Sequence, residues 1–131
     1  MRKINLMALA LILIFAMSGC QGKVIVPKGE YKDGVYDEKQ KSEGPGYEEA
    51  IVTVKNGFIS NVELKKLDDN QKEVNYDEWD GTKEGKPNLK KVRSDFGKMM
   101  VAKQSADIDT VSGATQSCKG WKTAVSKALT K

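Results

Sequence analysis

The densest set of chemically useful groups in the chain is the stretch DTVSGATQS, Asp109 to Ser117. It holds four hydroxyl side chains (Thr110, Ser112, Thr115, Ser117), one carboxylate and the two smallest residues, Gly113 and Ala114. A loop of this kind running into a helix has two physical uses. Its hydroxyls can cap the helix, or the free N–H donors and positive dipole end of the helix can hold an anion such as phosphate, with Gly113 and Ala114 leaving room. Self-catalysed chemistry is a poorer fit. A Ser or Thr hydroxyl needs a base or metal to become a nucleophile, and the chain has no histidine, which removes Ser-His-Asp, Cys-His and imidazole-metal sites.

The elements that must position this stretch are legible on both sides of it. Trp121, Ala124, Val125, Ala128 and Leu129 recur with helical spacing, which predicts a terminal amphipathic helix starting close to Ser117. Upstream, Leu89, Val92, Phe96, Met99 and Met100 predict another helix with Asn88 as N-cap and a weak point at Gly97. The Met pair reads as core filling. Between Tyr47 and Leu67, two β-rich runs flank Asn56-Gly57, the signature of a type I′ hairpin, and period two places Phe58, Val62 and Leu64 on one side. Turns are expected at Asp33-Gly34, through SEGPGY (Ser42 to Tyr47) and at Asp68 to Asn70, with a further strand in KEVNYDE and a loop from Asp80 to Asn88. Strands followed by helices predict a small single-domain α+β fold, an antiparallel hairpin or sheet packed against two or more helices.

The N-terminal MRKINLMALALILIFAMSGC has a basic start, an apolar run from Leu6 to Met17 and small residues before Cys20. That run is short for a membrane-spanning helix and reads as an export signal, residues 1–19. MSGC resembles a bacterial lipobox, which implies lipid on Cys20, a tether over residues 20–30 and a folded domain over 31–131. Loss of Arg2 and Lys3 leaves 20 basic against 18 acidic residues, a net charge of +2 in place of +4. With no basic stripe, the composition argues against nucleic acid as a partner. If Cys20 is lipidated, Cys118 is the only other thiol and no intramolecular disulfide can form.

The segment Asp109-Thr110-Val111-Ser112-Gly113-Ala114-Thr115 resembles the flavinylation motif Asp-x-x-Ser/Thr-Gly-Ala-Thr of the FMN-binding domain. That domain occurs in subunits of the sodium-translocating NADH:quinone reductase and Rnf-type complexes, and in small flavinylated lipoproteins. YKDGVY is similar to the domain's opening and VTVKNGFISNV to its hairpin, so the resemblance runs from about Tyr31 to the C-terminus. It implies FMN joined through its phosphate to Thr115, with Asp109, Ser112, Gly113 and Ala114 at positions read by the attaching enzyme and Ser117 at a hydroxyl position just after. It also implies a separate magnesium-dependent flavin transferase as a partner.

The expected function is therefore an extracytoplasmic, lipid-anchored electron-transfer protein on the cell membrane. It would meet membrane or surface redox partners and be a substrate of the transferase, with no catalytic residues and no metal ligands of its own. One alternative is a lipoprotein module that holds FMN or another phosphorylated ligand non-covalently. A flavin reductase is the least supported reading, because no dinucleotide-binding βαβ pattern is present. The glycine-rich segment that accompanies the ring in the respiratory subunits has no counterpart in the charged stretch from Asp80 to Asn88. Cys118 reads as a buried small residue and Trp121 as core, although either can be imagined beside a flavin.

Overall fold

A computed structural model describes residues 29–78 and 85–131. The expected signal peptide, Cys20 and most of the expected tether lie outside the described residues, as does the stretch 79–84. Three strands, β1 (Gly34–Lys41), β2 (Tyr47–Lys55) and β3 (Phe58–Leu67), form an antiparallel sheet in the order β1-β2-β3. Two helices, α1 (Leu89–Lys103) and α2 (Thr115–Leu129), follow, which is the α+β arrangement expected.

The hairpin between β2 and β3 turns at Asn56 and Gly57, with φ of 53° and 77°, as a type I′ turn requires. Its register departs from simple alternation. Val54 pairs with Ile59 but Thr53 pairs with Asn61, so one extra residue is inserted in β3. The bulge reverses the parity: Ile59, Val62 and Leu64 point inward, while Phe58, expected on that face, is 39% exposed. KEVNYDE is not a strand. It makes one isolated bridge, Leu67 to Glu73, and then leaves the sheet at a turn in which the Asn75 side chain accepts from the Asp77 N–H.

Residues 48, 50, 52 and 54 of β2 face the helices, and Phe96, Met100, Trp121, Ala124 and Val125 close the core over them. Met99, paired with Met100 in the expected stripe, is exposed. α1 begins at Asn88, whose Oδ1 accepts from Lys91 N–H, as expected of an N-cap. It ends at Gln104, whose side-chain amide donates to Ile59 O (2.8 Å) and accepts from Ile59 N (2.7 Å), occupying the outer edge of β3 as a paired strand would. Gly97 has a positive reason to be glycine: a Cβ there would lie 2.6 Å from Val62 O, so its absence lets α1 approach the sheet closely.

The domain has two distinct ends. At one, Gly29 and Tyr31 donate backbone hydrogen bonds to Asn56 O and Gly57 O, beside the hairpin turn and the C-terminal end of α1. At the other lie the β1–β2 loop, the chain after β3, the start of α1 and the start of α2. The β1–β2 loop is held there by Asp69, whose carboxylate accepts from Gly46 N (2.8 Å) and from Lys41. The Gly46 N–H, with Lys41, keeps the Asp69 carboxyl below its ordinary range.

Candidate functional site

The hydroxyl-rich stretch sits at this second end. Val111 to Ala114 form a turn closed by Ala114 N–H donating to Val111 O, and Cys118 N–H donates back to Ala114 O as the first bond of α2. The helix therefore begins at Thr115, one turn fraction earlier than the Ser117 start expected, and Thr115 belongs to its first turn and not to the loop before it. The N-cap position is Ala114, and no side chain caps the helix. Ser112, Thr115 and Ser117 thus do not cap, which removes the capping role their composition suggested. The N–H groups of Thr115, Gln116 and Ser117 have no partner within the helix, and the Thr115 side chain is exposed.

Gly113 is fixed by its backbone and by a neighbour. Its φ is +85°, and a Cβ would sit 2.6 Å from Pro87 Cδ. The place a side chain would take at Gly113 is filled by the segment leading into α1, which leaves glycine as the residue that fits there. Gly113→Ala is expected to destabilise the domain by more than 1 kcal/mol, since it combines a left-handed φ with a clash, and denaturant unfolding will show it. Asp109 is exposed before the turn and Ser112 is exposed within it, while Ala114 and Ser117 are half-buried on either side of Thr115.

Below the turn, Cys118 and Trp121 are fully buried. Burial pushes the Cys118 thiol up, against a weaker opposite pull from the Val111 N–H. Trp121 donates to Lys65 O (2.8 Å) and packs near Phe96 with ring centroids 6.3 Å apart. Both are structural, as the sequence suggested, and neither is open to a ring at Thr115.

Two features at this end escaped the sequence reading. Glu48 and Lys66 form a buried ion pair (2.6 Å; side chains 0% and 5% exposed) joined by the Ser42 hydroxyl. The second carboxylate oxygen of Glu48 has no hydrogen-bond partner and lies against Gly120, where a Cβ would collide with it. The signal was present in the parity of β2, since Glu48 falls in step with Ala50, Val52 and Val54. The other feature is Arg93, whose guanidinium lies over the Tyr76 ring (4.4 Å to the centroid) and donates to Leu64 O (3.1 Å). Nothing local in the sequence links those two positions.

Tyr76 donates to Glu73 and accepts from Lys66 N–H, and burial, with the Glu73 carboxylate, pushes its phenol up to about 12. An unfolded tyrosine ionises near 10. The folded state thus holds the proton more tightly, so this contribution is full below about pH 10 and is lost as pH rises towards 12. Urea titrations at increasing alkaline pH should show a steeper loss of stability for the native chain than for Tyr76→Phe.

An uncapped helix start with an exposed hydroxyl at its first residue is a place where backbone N–H groups can hold an anion. The chain belongs to the FMN-binding domain family, whose pattern matches residues 23–130. It is also similar to the crystal structure of the CPE2226 protein from Clostridium perfringens, with a TM-score of 0.66 and 23% identity over 76% of this chain and 87% of that one. This likeness bears on the fold alone. No curated protein matches the chain.

The residues at this helix start fit the phosphate of FMN. Three unpartnered backbone donors and a free hydroxyl at one helix start are the donor set that a phosphate monoester or diester takes.

Proposed function

We propose that the chain is an extracytoplasmic electron carrier, anchored by lipid at Cys20 and holding FMN by a phosphoester bond to Thr115. The observation that carries this reading is the position of Thr115: first residue of α2, exposed, uncapped, where the N–H groups of Thr115, Gln116 and Ser117 have no partner in the helix. A phosphodiester there keeps one negative charge at the positive end of the helix, an interaction worth about 0.3–1 kcal/mol at an exposed site.

Attachment is assigned to a separate flavin transferase because this chain offers an acceptor without a base. In that step the Thr115 Oγ–phosphorus bond forms, the pyrophosphate bond of FAD breaks, AMP leaves and the hydroxyl proton passes to the transferase. Asp109, Ser112, Gly113 and Ala114 present the acceptor on an exposed turn that Pro87 props from behind. The bound flavin supplies reversible electron storage, and the protein sets its surroundings. The partners of this carrier are the transferase and redox proteins at the membrane or cell surface.

The test is to produce the full chain together with a flavin transferase, denature it and look for flavin fluorescence in the gel band. Fluorescence that survives denaturation supports the covalent reading. Fluorescence lost on denaturation, from a protein that was yellow before, returns the chain to the non-covalent alternative.

A further inference from the structure

We propose that the outer face of the helical layer, made by α1 and α2, lies against the anionic headgroups of the bilayer to which the chain is tethered. This rests on the anchor at Cys20 proposed above and is independent of the flavin.

The fold sorts the charges of the chain. α1 carries Lys90, Lys91, Arg93, Lys98 and Lys103 against the single carboxylate of Asp95, and α2 carries Lys119, Lys122 and Lys127 against none. In the sequence these cations are scattered and form no basic run. Packing both helices over one face of the sheet gathers them into one layer, with Lys91 and Lys98 of α1 and Lys119 of α2 on the sides opposite the buried stripes.

The opposite face of the domain is different. The strand register brings Asp37, Lys39, Glu49, Glu63 and Lys65 together there, out of step with the buried Ala50, Val52 and Val54. Their signs alternate and pair off, Lys39 with Glu49 at 4.0 Å and Lys65 with Glu63 at 3.7 Å. In the helices, Lys91 has Asp95 and Lys122 has Asp107. Lys90, Lys98, Lys103, Lys119 and Lys127 are exposed and form no ion pair among the described residues. One face is thus electrically balanced and the other is a field of unneutralised cations.

A bilayer suits this field in extent and in position. Each helix has 15 residues and is about 22 Å long, more than twice the Debye length of about 8 Å at physiological salt, so the cations answer best to a surface of similar breadth. Attraction to anionic lipid also acts only within about a Debye length. Gly29 follows Cys20 by nine residues, which span at most about 30 Å when extended, so a lipid on Cys20 keeps the domain beside the headgroups at all times. Met99, 44% exposed and next to Lys98, adds an apolar side chain that can enter the headgroup boundary, and lysine stems lie along that boundary while their ammonium groups meet phosphate.

The experiment uses the full lipidated chain, produced without a flavin transferase so that no flavin absorbs the signal, and inserted into vesicles by its anchor. A Trp79→Phe background leaves Trp121, buried in α2, as the only tryptophan. Excitation transfer from Trp121 to a dansyl-labelled lipid is measured in phosphatidylcholine vesicles and in vesicles that also contain phosphatidylglycerol, at low and high salt. Two double variants are compared: Lys98→Gln with Lys119→Gln on the helical face, and Lys55→Gln with Lys72→Gln, exposed lysines outside the helices. The expected result is greater transfer with phosphatidylglycerol, a difference that disappears at high salt. The helical-face variant loses roughly half of that difference and the other variant keeps it.

Equal transfer in the two kinds of vesicle overturns the proposal, and salt-sensitive retention of the same chain on polyglutamate then assigns the face to an acidic protein. An equal loss in both double variants overturns it as well, because the effect is then one of net charge. A chain that fails to float with phosphatidylcholine vesicles at high salt has no lipid anchor, and that result overturns the anchor first and the surface contact with it. All four substituted lysines are exposed, so thermal unfolding of both variants at the native temperature is expected and separates loss of contact from loss of fold.

Discussion

Thr115→Ala is expected to abolish covalent flavin completely, while Ser112→Ala and Ser117→Ala keep it. The three hydroxyls are neighbours in sequence but not in situation. Ser112 lies within the turn and Ser117 is half-buried in the helix, whereas Thr115 is exposed at the first helical position, where the N–H groups of Thr115, Gln116 and Ser117 have no partner in the helix. A phosphoester on Thr115 Oγ places the phosphate oxygens among those donors, and neither other hydroxyl has the same relation to the helix end. The fold should not notice the change. Thr115 makes no hydrogen bond through its side chain and is not the N-cap, so its loss falls within the usual surface range of about ±0.5 kcal/mol. In-gel flavin fluorescence reads attachment, and thermal unfolding followed by circular dichroism reads stability. Fluorescence persisting in Thr115→Ala at the native level sinks the assignment of this residue.

The largest expected effect on stability comes from breaking the buried pair. Lys66→Met removes the partner of Glu48 and leaves a fully buried carboxylate with only Ser42 to hydrogen-bond it. Breaking a buried pair from one side typically costs about 3–5 kcal/mol, a large share of what a domain of this size has. The double variant Glu48→Leu with Lys66→Met should recover most of that loss, because an apolar pair of similar volume carries no desolvation penalty. Chemical denaturation of the three proteins decides the matter. A double variant as unstable as Lys66→Met alone would mean that shape at this position, and not charge, governs the cost. Gly120 belongs to the same arrangement: a helix-interior glycine is normally unfavourable by about 1 kcal/mol, and here it makes room for the Glu48 carboxylate.

Much of this was legible in the sequence because it rests on short-range physics. Asn56-Gly57 fixed the hairpin turn through backbone sterics alone, and the apolar stripes of both helices matched their buried faces with the exceptions of Met99 and the half-buried Leu129. The inward set of β3 was misplaced at Phe58 because a one-residue bulge depends on the pairing partner and not on composition. The start of α2 was set two residues late because capping preferences point to Ser or Thr, and this helix starts after an alanine with no cap. Glu48 with Lys66 and Tyr76 with Arg93 are pairs separated by 18 and 17 positions, and no local pattern announces such contacts. The candidate site divides in the same way: the motif around Thr115 is contiguous and readable, while the contact of Gly113 with Pro87 joins two distant segments.

The entry of the chain at Gly29, bonded to the hairpin turn, has a mechanical consequence. Gly120 of the first turns of α2 packs on Glu48 at the start of β2, and Gly29 is bonded to Asn56 just beyond its end. At about 3.3 Å per residue, that places roughly 25 Å of sheet between Gly29 and the region of Thr115. On the proposed reading the domain is a strut, entered at one tip and bearing the flavin at the other. If the chain is anchored through the residues before Gly29, as proposed, the length of the sheet adds to the reach of a group carried on Thr115.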